Sequence, residues 1–273
     1  MRITPDQEEY WTDRHSLFLP ASINSVPIDT QIPLIAQTGF THVSLGQDMK
    51  HSGILDSNKR EKFRSLLQQH NIKIDSIYGI SLCYPDSPER MKPIIEAGAA
   101  LEVPIIVAHP IPFDIGQSDF TSLLATLTES LKMLEPVLKA TGIKLAVENV
   151  LPGPSTDLAT EAVTCFESEY IGFCYDSSHD QVDGPKSFDL LDFMKDRLFS
   201  VHLSDRIREF TDHVPPGEGF IDWEELTETL KQTTYSNPLL FEVMVEHTSV
   251  KETAPFLTLV YEKASWVHSL LYL

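Results

Sequence analysis

Positive charge is scarce in this sequence. Twenty-one lysines and arginines stand against 40 aspartates and glutamates, a formal net charge of −19 over 273 residues. So acidic a chain repels polyanions, which weakens any reading that needs affinity for a phosphate backbone and leaves nucleic acid out as a partner. Cysteine is scarce too. Cys83, Cys165 and Cys174 are odd in number and show no CxxC spacing, which points to a reduced, cytoplasmic compartment. No run approaches the ~20 apolar residues of a membrane span. The opening residues, Met1 to Tyr10, are polar and acidic, unlike a signal peptide. No glycine-rich phosphate loop follows the first strand-like run, which disfavours an open doubly wound nucleotide-binding sheet.

What is present is a core-forming composition, 42% hydrophobic, and a strict alternation of patterns. Strand-like runs fall at 16–19, 42–45, 72–80, 103–109, 143–150, 171–176, 198–203 and 239–245. Between and after them, helical periodicity predicts helices over 29–38, 57–70, 87–101, 118–140, 157–167, 188–196, a helix N-capped by Asp222, and 252–271. Eight β-α units imply a parallel sheet with right-handed crossovers. At about 250 residues, that is the size of a closed (β/α)₈ TIM barrel of α/β class. Length alone suggests about two domains, but α/β barrels are an exception, and no linker divides the chain. The expectation is one domain over 1–273, with 1–14 as an N-terminal extension over the barrel floor or outside it.

The chemistry gathers at strand ends. Ile171-Gly-Phe-Cys-Tyr-Asp176 is apolar until it closes on Asp176, with His179 three residues on. Lys144-Leu-Ala-Val-Glu148, Ser200-Val-His202 and Leu239-Leu-Phe-Glu242 end in the same way. In a (β/α)₈ barrel these ends form the active face. One such carboxylate could simply cap the next helix. Four ligand-type residues on successive strands point elsewhere, because clustered carboxylates repel unless a cation neutralises them. Glu148, Asp176, His202 and Glu242 are hard-to-borderline donors suited to one divalent ion. A metal holding a carbonyl and a hydroxyl oxygen would stabilise an enediolate, and a carboxylate on each face could take and return a proton.

Val147-Glu-Asn149, Asp176-Ser-Ser-His179, Val201-His-Leu-Ser-Asp205, Pro216-Gly-Glu-Gly-Phe-Ile-Asp-Trp223 and Phe241-Glu242 together resemble the sugar-phosphate isomerase/epimerase superfamily. These are the xylose-isomerase-like TIM barrels, related to the apurinic endonuclease barrels. The resemblance spans nearly the whole chain. It implies one divalent metal (Mn, Mg, Co or Zn) on Glu148, Asp176, His202 and Glu242, with Glu148 and Glu242 as the acid/base pair. It further implies that His179 and Arg208 meet the substrate. His109 matches a metal-binding histidine of the endonuclease branch, but a pocket role is expected for it here. Tyr78, Tyr84 and Phe113, at or just after strand ends, are expected to line a sugar pocket. Trp223 is expected to pack its helix, and Glu218 to brace its loop.

The endonuclease branch would need a histidine near the end of the third strand, where Ser76-Ile-Tyr-Gly79 stands, and Asp-x-His in the seventh loop, where Thr211 replaces the Asp. The expected activity is isomerisation or epimerisation of a small sugar or polyol-derived ketone, with no nucleic-acid or membrane partner and homo-oligomerisation left open. A dehydratase of inosose or dehydroshikimate type shares the first proton abstraction and is the alternative. An apurinic endonuclease-type phosphodiesterase and a non-catalytic metal-binding barrel stand behind it.

Overall fold

The computed structural model describes residues 15–19, 26–46, 52–111, 119–208 and 212–272. Eight strands, β1 (His15–Leu19), β2 (His42–Leu45), β3 (Lys73–Tyr78), β4 (Ile105–Ala108), β5 (Lys144–Glu148), β6 (Ile171–Asp176), β7 (Leu198–Leu203) and β8 (Leu239–Phe241), pair in sequence order into a closed barrel. All eight pairings are parallel, and β1 closes on β8 through His15–Leu239. Parallel strands of this kind are buried on both faces, hence the continuous apolar runs; every residue of β6 is buried.

Helices α1 (Ile28–Thr38), α2 (Ser57–Gln69), α3 (Ser87–Ala100), α4 (Phe120–Thr141) and α5 (Pro154–Thr164) follow the first five strands. A four-residue helix, α6 (Ser177–Asp180), starts directly off β6 and precedes α7 (Asp189–Phe193); α8 (Trp223–Leu230) and α9 (Thr253–Leu270) complete the ring. Helix α4 ends where Gly142 takes φ 77°, a left-handed position that costs glycine nothing, and its N–H returns to the Leu138 carbonyl. The Asp222 carboxylate accepts from the Glu225 N–H, capping α8.

The main core lies between strands and helices. The barrel interior is narrower and filled by small or slim side chains. Ile105, Val107, Ala146 and Cys174 form one cluster, and Ser76 donates to the Ser44 hydroxyl across β3 and β2 at 2.8 Å. Gly172 belongs to this tight packing, since a Cβ there would stand 2.5 Å from the Phe199 ring.

Several boundaries moved. Helix α5 begins at Pro154, not at 157, because proline suits the first helical position, where its missing N–H is not needed. The eighth strand stops at Phe241, short of 245, as Met244 donates its N–H to His213 and residues 245–247 turn into a 3₁₀ segment. The N-terminal extension, residues 1–14, lies outside the described residues.

Candidate metal centre at the barrel mouth

Strands β5 to β8 carry Glu148, Asp176, His202 and Glu242 to one point. Glu148 and Asp176 close their strands, His202 is the penultimate residue of β7, and Glu242 directly follows β8, its N–H held by the Leu203 carbonyl at 3.0 Å. One ligand atom from each of the four lies within 4.8 Å of every other. All four are buried, Glu242 being the most accessible at 6%.

The sequence reading set a helix-capping role for Asp176 against a metal-facing one, and the structure divides its two oxygens between those environments. Asp176 Oδ1 accepts from the His179 N–H at 2.7 Å and the Ser178 hydroxyl at 2.9 Å, capping α6. Among the described residues, Asp176 Oδ2 has no hydrogen-bond partner. The same holds for Glu148 Oε1, Glu242 Oε2 and both ring nitrogens of His202. His202 Nδ1 stands 2.8 Å from Glu242 Oε2 and 3.5 Å from Glu148 Oε2 without hydrogen-bond alignment. Buried polar atoms are seldom left unpaired, because each forfeits its hydration. Three carboxylates and an imidazole converging in this way fit a divalent cation held by oxygen and nitrogen donors.

Neighbouring groups hold the four in place. Asn149 clamps the backbone of Asp176, its Oδ1 accepting the Asp176 N–H at 2.8 Å and its Nδ2 donating to the Asp176 carbonyl at 2.9 Å. The Asn149 carbonyl also takes His179 Nδ1 at 3.0 Å. Tyr78 donates to Glu148 Oε2 and lies 2.5 Å from His109 Nε2. The tyrosine has one proton and spends it on Glu148, so His109 Nε2 must carry the hydrogen between them. Tyr78, expected as an apolar wall, is therefore a polar brace, and it stands near the end of β3, where the endonuclease branch would need a histidine.

The charges are strongly coupled. Burial opposes ionisation of Glu148, yet His202, His179 and His109 hold its carboxyl well below the usual range. Glu242 is likewise lowered, against burial, by His202 and His213. Burial disfavours protonated His202, but Cys174, Glu148 and Glu242 outweigh it and raise the imidazole well above its usual value. Against the same opposition Asp176 and Glu148 raise His179 to about 9. Burial depresses His109 and His213 and drives Tyr78 far up, so that it keeps its proton. The carboxylates thus favour positive charge at this point of the barrel, raising His202 and His179 together.

Of the remaining predicted residues, His179 lies 3.4 Å from Glu148 and 3.8 Å from Asp176. His109 Nε2 is 3.7 Å from Glu148. Arg208 is exposed, and its backbone N–H donates to Asp212 at 2.7 Å. Phe113 lies outside the described residues, and Tyr84 is 40% exposed. Trp223 packs inside, its indole N–H given to Asp205 at 2.9 Å.

Sequence reasoning missed five residues. Asn149 was quoted only as part of a motif. His213 is buried, stands edge-on to His179 at 5.3 Å and meets the Ser204 hydroxyl at 3.0 Å. The buried arginine of the seventh loop is Arg206, which donates to the Ser178 carbonyl at 3.1 Å. Asp205 accepts four N–H donors and pins residues 217–223 beneath the site. Cys174 lies within reach of Glu148 and His202. Of these, Asn149 and Asp205 carried a sequence signal, as members of the motifs Val147-Glu-Asn149 and Val201-His-Leu-Ser-Asp205.

The family model of the xylose isomerase-like TIM barrel matches residues 32–260. A curated relative, "Uncharacterized protein y4fM" of Sinorhizobium fredii, is 24% identical over 261 residues, covering 82% of this chain and 83% of its own. Among solved structures, D-psicose 3-epimerase in the presence of D-fructose superposes with a TM-score of 0.78 at 14% identity, over 94% of this chain and 99% of that one. The IOLI protein with a bound zinc atom gives 0.73 at 19% identity, over 94% and 99%. At such identities the structural likeness establishes the fold.

Proposed function

The chain belongs to the xylose isomerase-like TIM-barrel family, and on that premise we propose that it is a divalent-metal-dependent isomerase or epimerase acting on a small sugar or polyol-derived ketone. The observation that carries the reading is the convergence of Glu148, Asp176, His202 and Glu242, buried and each with a ligand atom that has no hydrogen-bond partner among the described residues. These four would hold the ion (Mn, Mg, Co or Zn), which when bound supplies Lewis-acid stabilisation of an enediolate.

The chain's own groups supply the rest. Glu148 and Glu242 come from β5 and β8, on either side of the strands bearing Asp176 and His202. A ketose between them presents one face to each carboxylate, so one glutamate removes a proton and the other returns one. Tyr78 engages Glu148 Oε2, which leaves Oε1 as the atom at which the proton or the ion is met. His179, with Nδ1 committed to Asn149, would bind a substrate oxygen through Nε2. Arg208 would reach the substrate from the rim. The unit is one barrel domain working in the cytoplasm on a small molecule, with no nucleic acid as partner. The likeness to D-psicose 3-epimerase supports a ketose as substrate class.

The test is a panel of ketoses, inososes and dehydroshikimate incubated with the Mn²⁺-loaded protein in D₂O. Deuterium entering the carbon next to the carbonyl, with product formation lowered by about 10²–10⁴-fold in both Glu148→Gln and Glu242→Gln, supports the pair as general bases. One variant should still wash deuterium into unreacted substrate. Near-normal turnover in both variants with metal bound would overturn the assignment. Release of water from the inosose or dehydroshikimate would move the reading to a dehydratase.

A further inference from the structure

Cys174 lies two residues before Asp176 on β6, so both side chains point into the barrel. It pairs in register with Glu148 on β5. Its Sγ, a Glu148 carboxylate oxygen and a His202 ring nitrogen all lie within 4.8 Å of one another. The thiol is fully buried, and its other neighbours are the apolar Ile105, Val107 and Ala146. Both Glu148 and His202 carry buried atoms that, among the described residues, lack a hydrogen-bond partner. Among the described residues, neither nitrogen of His202 has a hydrogen-bond partner, nor does Glu148 Oε1. The thiol thus forms the floor of the four-residue cluster and shares two members with it.

Sulfur separates the two groupings chemically. Hard ions such as Mn²⁺ and Mg²⁺ prefer carboxylate oxygen, whereas thiolate draws borderline and soft ions such as Zn²⁺ and Cd²⁺. Three protein donors of the Cys, His and carboxylate types, with water in the fourth position, satisfy a tetrahedral ion.

We propose that Cys174, Glu148 and His202 form a second, deeper metal position selective for thiophilic divalent ions, exclusive of the Glu148–Asp176–His202–Glu242 position because Glu148 and His202 are common to both. The proposal rests on the four-residue metal reading only for that exclusivity. On binding, the thiol proton passes to solvent as the metal–sulfur bond forms, and no oxidation state changes. An ion held there takes Glu148 and His202 from the four-residue position, so Cd²⁺ inhibits the Mn²⁺ form by expelling its ion.

Cd²⁺ is titrated into the protein while the ultraviolet thiolate-to-metal charge-transfer band is recorded. The parent carries Cys165→Ser, which removes the exposed thiol. One equivalent of band in the parent and none after Cys174→Ala is expected, with Cys174→Ser as a second variant should alanine fail to fold by circular dichroism. Mn²⁺ affinity, read from free-ion electron paramagnetic resonance, should change by less than about threefold in the Cys174 variants. Added Cd²⁺ should expel bound Mn²⁺ one for one. A band that survives loss of Cys174, or none in the parent, overturns the thiol ligand. Simultaneous stoichiometric binding of both ions overturns the shared position. A Cd²⁺ band with no Mn²⁺ binding would instead sink the four-residue reading and leave the deeper position standing.

Discussion

Replacing Asp205 with alanine should be the most destabilising single change outside the apolar core. Asp205 is fully buried and stabilises a loop through four donors. Its Oδ1 accepts the N–H of Arg206 at 2.8 Å and of Ile221 at 3.0 Å, and its Oδ2 accepts the Gly217 N–H at 2.8 Å and the Trp223 indole N–H at 2.9 Å. Gly217 is exposed and regains water when the carboxylate is lost. The other three donors sit in buried residues and do not. At ~1–3 kcal/mol for each buried donor left unsatisfied, the loss is ~3–9 kcal/mol. Removal of the buried charge and partial relaxation of the loop bring this to about 4 kcal/mol, within the ~3–5 kcal/mol of a broken buried charged network.

Asp205→Asn keeps one oxygen for two donors but sets its NH₂ against the other two, and should lose somewhat less. With about 2 °C of melting temperature per kcal/mol for a chain of this size, alanine should lower Tm by ~8 °C. Calorimetry and urea unfolding read both variants directly. A loss below ~1 kcal/mol in Asp205→Ala would refute the reasoning, because it would mean that the buried donors find other acceptors.

Metal binding should release protons. His202 is raised well above its usual value in the metal-free chain and must be neutral to ligate, so at pH 7 at least one proton should leave per ion, and affinity should weaken as pH falls. Calorimetry in buffers of differing ionisation enthalpy measures this, and pH-independent affinity would contradict it. Gly172→Ala should destabilise by ~1–3 kcal/mol, the usual cost of overpacking, because its Cβ would meet the Phe199 ring at 2.5 Å; chemical denaturation checks it, and pairing it with Phe199→Ala should recover part of the loss. His179→Ala should cut turnover while leaving metal affinity within a few-fold, and a loss of metal comparable to that in Asp176→Ala would make His179 a ligand.

The barrel was legible because each parallel strand is buried on both faces and so writes an unbroken apolar run. Leu198–Leu203 agrees with the observed β7 residue for residue. The four converging residues were legible for a related reason, as each interrupts or directly ends such a run. The supporting groups were not. Asn149 acts through its amide on a strand neighbouring its own, a contact that pairing register creates and spacing does not reveal. Arg206 and Arg208 differ by two positions in a loop that has no period, so which is buried depends on the Asp205 anchor. His213 reaches the site only because the bridge between Asp205 and Val214 folds the loop back. Tyr78 offers both an aromatic ring and a hydroxyl, and only its hydroxyl partners, Glu148 and His109, disclose its role.

The split duty of Asp176 gives the protein a built-in spectroscopic gauge. Its two oxygens share one delocalised charge. When a cation draws density toward Oδ2, Oδ1 becomes a poorer acceptor, and the His179 amide proton bound to it at 2.7 Å loses deshielding. A diamagnetic ion such as Mg²⁺ should therefore move that one amide resonance upfield and speed its exchange with solvent, while the Asp176 amide, held by Asn149, stays put. Occupancy could then be read in the isotope-enriched protein from a pair of backbone signals three residues apart, one responding and one serving as internal reference, without substrate or chromophore.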